Sequence, residues 1–219
     1  MWYVAYGSNM SRRRFLAYLQ GGRVDGSSTL ERGAADPTPP RASARLLLDR
    51  RLRFVGVSRR WGGGVAVLEH RRQGGACTPA RAWLIGFDQF TDVLAQENRW
   101  DEATAPRCPP LPDGPGSLVV AGEGLYGAVL VLGRAGDGRR VVTLTSPHPP
   151  ENRAPNPPAP AYVRTIAAGI AETHGGDAAA HLAHLLGASR EPTPTPGVRP
   201  HHERKGSNDP GDGVGHHLA

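Results

Sequence analysis

The chain has 219 residues, enough for one domain with a substantial core and cramped for two. No run approaches the roughly 20 apolar residues of a membrane span, and the N-terminus opens on a strand pattern rather than a leader, so a cytoplasmic protein without membrane association is expected. The net charge of +6 is concentrated early, with 15 Arg against 5 acids in residues 1–81 and 7 Arg against 11 acids in residues 82–188. With a single Lys in the whole chain and abundant Ala, Gly and Pro, this pattern matches the Arg-rich coding of a GC-rich genome. Aromatic residues are scarce and not interleaved with the Arg as in a stacking platform, so a solvated basic face is preferred over nucleic-acid binding. Cys77 and Cys108 are too few for a disulfide framework and have no metal-ligand spacing.

The first strand is predicted at Trp2–Tyr6, and the GSN stretch after it leads into a helix over 11–20 with Phe15, Leu16 and Leu19 on one face. Gly21 and Gly22 stop that helix, and residues 21–41, rich in Gly, Ser and Pro, read as a long excursion. Short strands follow at 44–48, 52–57, 64–70 and 80–87, close enough in sequence to favour antiparallel pairing. A helix is predicted from Asp88, a plausible N-cap, to about Gln96. Residues 100–123 are dense in Pro and Gly and read as loop. Strands at 124–132 and 139–145 flank a GDG turn, and two helices are predicted over 161–173 and 178–186. The expected fold class is α+β, a small mixed or antiparallel β-barrel with peripheral helices. One domain is expected over 1–188, followed by a tail over 189–219 too poor in apolar residues to fold.

Two stretches carry chemistry. In VAYGSN a strand turns at Gly7 and runs toward a helix, a geometry that presents successive backbone N–H groups to an anion. Gly7 permits close approach, and Ser8 and Asn9 can add side-chain donors. A plain turn with an N-cap explains the same residues. In FTDVLAQEN, Phe90, Val93, Leu94 and Glu97 recur at helical spacing, which puts the Glu97 carboxylate on the apolar face. There it is either paired or desolvated, and a desolvated carboxylate is suited to proton transfer. The alternative is a frayed helix end with Glu97 in solvent. Ser8 lacks a nucleophile-elbow setting, His181 and His184 read as surface or core positions, and His201, His202, His216 and His217 fall in the tail. No metal or cofactor is expected.

Together these two stretches resemble the γ-glutamylcyclotransferase-like family, whose signature is a YGSN turn after the first strand and a catalytic glutamate just beyond the strand matching ARAWLIGF. RASARLLL, WGGGVAVL and the PAPAYVRTIAAG run with Tyr162, Ile166 and Gly169 follow the family's order, so the resemblance spans roughly residues 1–187. It implies a compact mixed β-barrel. It implies that Tyr6, Gly7, Ser8 and Asn9 hold the α-carboxylate of a small-molecule γ-glutamyl substrate. It implies that Glu97 moves the proton as the substrate's own α-amine attacks its γ-carbonyl, releasing 5-oxoproline. The residue after the glutamate, often Gly in the family, is Asn98 here. An amide hydrolase or acyltransferase on the same scaffold, and a noncatalytic metabolite-binding protein, are the alternatives.

Overall fold

The computed structural model describes residues 1–23, 30–101 and 103–188, so the expected tail over 189–219 lies outside the described residues. The fold is α+β, a mixed sheet with helices around it. Strand β1 (Trp2–Ala5) is aromatic and β-branched, and its Tyr3, Val4 and Ala5 are buried. Helix α1 (Arg12–Gln20) follows a 3₁₀ turn over Ser8–Met10. Next come the short pair β2 (Gly22–Arg23) and β3 (Leu30–Glu31), then β4 (Ala42–Leu48), β5 (Leu52–Val55), β6 (Val65–Leu68) and β7 (Thr78–Leu84). Helix α2 spans Phe87–Asn98, followed by β8 (Gly116–Val119), β9 (Ala128–Arg134), β10 (Arg140–Thr145), α3 (Pro160–His174) and α4 (Ala178–Ala188).

The main sheet has six strands in the order β4-β7-β1-β10-β9-β8. All its pairs are antiparallel except β1 with β10, which run parallel with Trp2 opposite Val141. β1 is therefore central, and the turn that leaves its C-terminal end is supported on both sides. β5 and β6 form a separate hairpin in which Leu52 faces Leu68 and Val55 faces Val65.

Several boundaries differ from the sequence reading for local reasons. Helix α2 starts one residue before Asp88, with Gly86 as its N-cap, because the Gln89 side chain accepts the Gly86 N–H at 3.0 Å and its amide is anchored on Thr38. The loop expected over 100–123 contains β8, which is drawn into the sheet by β9, with Leu118 opposite Val129. The strand expected from Gly124 begins only at Ala128, which leaves 124–127 as a turn. The excursion over 21–41 holds the β2–β3 pair, with Gly22 opposite Glu31.

The core joins these elements around an aromatic stack. Phe15 of α1 lies face to face on Trp83 of β7, centroids 4.9 Å apart, and also stacks on Tyr3 at 5.6 Å. The Trp83 indole N–H donates to the Asn9 carbonyl at 2.9 Å, pinning the 3₁₀ turn to the sheet. Helix α3 closes over the same turn. A Cβ on Gly169 would stand 2.6 Å from the Ser11 nitrogen, so only glycine lets the helix pack this close.

Candidate active site

Because β1 ends in the middle of the sheet, residues 6–9 open onto a pocket of about 490 Å³. Its walls come from the β1 turn, the loop between β5 and β6, the end of α2 and the turn before β9. Tyr6 and Gly7, Ser8 and Asn9 all line it, as does Glu97, which is 88 residues away from Asn9 in sequence. The residues singled out in the sequence are thus brought together in one cavity.

Their individual roles differ. Tyr6 is a wall: it is buried, and its hydroxyl donates to the Leu144 carbonyl at 2.6 Å. Gly7 has φ −114° and ψ −147°, outside the left-handed region that favours glycine, so its requirement is space. A Cβ there would lie 3.2 Å from the Tyr162 hydroxyl, on the pocket side. Among the described residues, no protein acceptor takes the N–H groups of Gly7, Ser8 or Asn9. Three backbone donors are therefore unspent at the pocket wall, as an anion receptor requires. The Asn9 side chain points to a different duty. Its amide donates to Glu97 Oε1 at 2.7 Å, which leaves the second amide N–H for another acceptor.

Glu97 sits where the helical spacing puts it. Phe90, Val93 and Leu94 are buried on the same face, and α2 continues through Asn98, so the helix does not fray beneath the carboxylate. The end is fixed by a Schellman pair, with Trp100 N–H to Ala95 O at 3.0 Å and Arg99 N–H to Gln96 O at 3.2 Å. Arg99 takes the left-handed conformation at φ 56° that this motif demands. Gln96 ties α2 to α1 by donating to the Tyr18 carbonyl, and Asn98 ties it to the 124–127 turn by donating to the Tyr126 carbonyl at 3.0 Å. Asn98 thus fastens the end of α2 to a turn that also lines the pocket.

Of the two environments open to a carboxylate on an apolar face, Glu97 takes the paired one. Its side chain is 10% exposed, and Oε2 lies 3.6 Å from a guanidinium nitrogen of Arg60. Arg60 was not singled out by the sequence. One of five arginines between residues 50 and 60 carries no periodic signal, and only the glycine run behind it hints at tight backbone packing. That run is explained here. Gly63 pairs with Pro158, and a Cβ on Gly64 would stand 1.9 Å from the Asn156 carbonyl oxygen.

Four phenols surround the pocket floor. Burial raises the pKa of Tyr3, Tyr6 and Tyr126, and pushes Tyr162 up to about 12, with the Glu97 charge adding to the effect and an Ala66 N–H bond opposing it. All remain neutral hydroxyls across the physiological range. Among the described residues no three His, Cys, Asp or Glu side chains gather to hold a metal ion, and no helix is long and apolar enough to cross a membrane.

No family model matches the chain. Histone deacetylase 5 of Arabidopsis thaliana is 33% identical over 186 residues, which cover 78% of this chain and 28% of that protein. The chain thus spans little more than a quarter of the curated relative it matches. Among solved structures, a γ-glutamyl cyclotransferase is 18% identical with a TM-score of 0.47, over 90% of this chain and 91% of that one. An uncharacterized human protein is 19% identical with a TM-score of 0.47, over 90% of each chain.

Proposed function

We propose that this pocket releases 5-oxoproline from a γ-glutamyl amine or peptide, with Glu97 as the proton carrier and the Gly7–Asn9 backbone as the receptor for the substrate α-carboxylate. The observation that carries the reading is the shared cavity: three unspent N–H donors and a carboxylate fixed 2.7 Å from Asn9 line one pocket, although the sequence separates them widely. A receptor for one carboxylate beside a proton acceptor suits a substrate that carries an anion and an ammonium on the same carbon.

The chemistry needs no nucleophile from the protein. The α-nitrogen is already tethered to its electrophile, so orientation supplies most of the rate. Glu97 takes a proton from the α-ammonium, and the freed amine attacks the γ-carbonyl carbon, forming the ring C–N bond. The tetrahedral carbon then expels the other nitrogen. Two protons leave the α-nitrogen in all and two reach the departing nitrogen, which exits as an ammonium. Glu97 ends as it began, and no water is consumed. A single carboxylate at a pocket wall serves as base and then as acid.

Glu97→Gln tests the assignment. The amide keeps the volume and can stay bonded to neighbouring groups, but it cannot accept and return a proton. Turnover should fall about 10²–10⁴-fold with binding of 5-oxoproline largely retained. Wild-type turnover in this variant would remove Glu97 from the mechanism.

A further inference from the structure

Glu97 is the end of a buried chain of charges drawn from four separate segments. Arg14 of α1, with no exposed side-chain surface, lies 3.1 Å from Glu31 of β3; Glu31 lies 3.1 Å from Arg60; and Arg60 lies 3.6 Å from Glu97. Two guanidiniums and two carboxylates balance. The Tyr18 ring lies against both cations, 4.1 Å from Arg14 and 5.5 Å from Arg60. Charges this far from water are tolerated only beside an opposite charge; Arg14 meets Glu31 by charge alone, without a hydrogen bond, whereas Arg60 also donates to Glu31 Oε2 at 3.3 Å. Burial opposes the Arg60 charge, but Tyr18, Glu97 and Glu31 outweigh it and hold its pKa above the usual arginine value.

Arg60 is itself held firmly. The Ser58 hydroxyl accepts the N–H groups of Arg60 at 3.2 Å and Trp61 at 3.0 Å, and the Ser58 N–H donates to Gly63 O at 2.7 Å. Trp61 stacks on Tyr162 at 5.6 Å, and Gly64 N–H donates to Pro157 O at 2.8 Å. A loop clamped at both ends delivers this one side chain between Glu31 and Glu97.

We propose that Arg60 is a positioning residue for Glu97, fixing the carboxylate plane by facing Oε2 while Asn9 holds Oε1. The inference rests on the reading of Glu97 as proton carrier. With Asn9 alone, the carboxylate is free to turn about its last bond. A misplacement of about 1 Å in a reacting group is enough to cost about 10²-fold in rate.

The test uses Arg60→Met, Arg60→Lys and Glu97→Gln in the full chain, with γ-glutamyl-L-alanine and γ-glutamyl-ethylamide as probes and 5-oxoproline binding measured by calorimetry. Arg60→Met keeps the long stem and loses the charge, so kcat should fall about 10–100-fold while KM and 5-oxoproline affinity stay within about threefold. Arg60→Lys restores the charge but not the fork that spans two carboxylates, so it should recover part of the lost rate. A purely structural role would lower Tm in both variants and leave kcat per folded molecule unchanged, which overturns the proposal. Should the Met variant not fold, the Lys variant decides: kcat below wild type supports positioning, and wild-type kcat overturns it. Glu97→Gln separates the two claims. If it is inactive while Arg60→Met is fully active, only the Arg60 inference fails. If it turns over normally, or if wild type turns over neither probe, the parent reading fails with it.

Discussion

Replacing Gly64 with Ala should destabilise the protein through one atom. The new Cβ would stand 1.9 Å from the Asn156 oxygen, 2.9 Å from its carbonyl carbon and 3.2 Å from Phe54 Cβ. Backbone atoms account for the two closest contacts, so no rotamer change relieves them, and the β5–β6 hairpin must part from residues 156–158 by roughly 1.5 Å to reach normal contact. That parting breaks Gly64 N–H to Pro157 O and Asn156 N–H to Phe54 O, now 2.8 and 2.9 Å. Two such bonds are worth about 1 kcal/mol each, and the forced repacking adds about 1–3 kcal/mol. The narrower unfolded ensemble of Ala returns about 0.4–1 kcal/mol. A net loss of about 2–4 kcal/mol should lower Tm by roughly 5–15 °C for a domain of this size. Gly62→Ala is the control: nothing lies within 4 Å of its Cβ, and only its φ of +75° is unfavourable, which costs about 1–2 kcal/mol. Thermal unfolding by circular dichroism reads both. Gly64→Ala melting no lower than Gly62→Ala would refute the close-approach argument.

Two further outcomes follow from the site and its tyrosines. Gly7→Val should abolish binding of 5-oxoproline in calorimetry while leaving most of the fold intact, because φ is negative there and the added atoms meet Tyr162 in the pocket. Wild-type affinity would count against the receptor. All five tyrosines of the chain have raised pKa values, with burial the leading cause. Folded-state values above the unfolded one mean that the native chain keeps protons the unfolded chain releases. The tyrosine contribution is therefore fully present below about pH 10 and is lost as pH rises toward 12 and beyond. Tyrosinate absorbance should appear together with unfolding in that window, and tyrosinate forming near pH 10 in a still-folded protein would contradict the burial.

The parts of this fold that were legible in the sequence are those set by local pattern. Phe90, Val93, Leu94 and Glu97 gave the register of α2, and the YGSN stretch marked the end of β1, because helical spacing and a strand-terminating glycine act within a few residues. What remained hidden depends on partners far along the chain. β8 is four residues of modest β character that become a strand only against β9. The parallel pairing of β1 with β10 joins residues about 140 apart, beyond any periodic signal. Arg60 acquires its place from Glu31, Tyr18 and Glu97, each on a different segment, so nothing in SRRWGGG separates it from Arg59. Asn9 reads in the sequence as a side-chain donor, and its meeting with Glu97 is decided only by the approach of α2 to the turn.

Whether the attacking nitrogen belongs to the substrate is read by isotope-resolved product analysis. Wild-type protein is incubated in ¹⁸O-water with γ-glutamyl-L-alanine and γ-glutamyl-ethylamide, and products are identified by mass spectrometry. Cyclotransfer as proposed should give 5-oxoproline and the free amine in equal amounts, with no ¹⁸O in the 5-oxoproline, since no water enters the reaction. Glutamate carrying ¹⁸O in its γ-carboxylate would mean that water attacks the carbonyl, which makes the protein an amide hydrolase and overturns cyclotransfer.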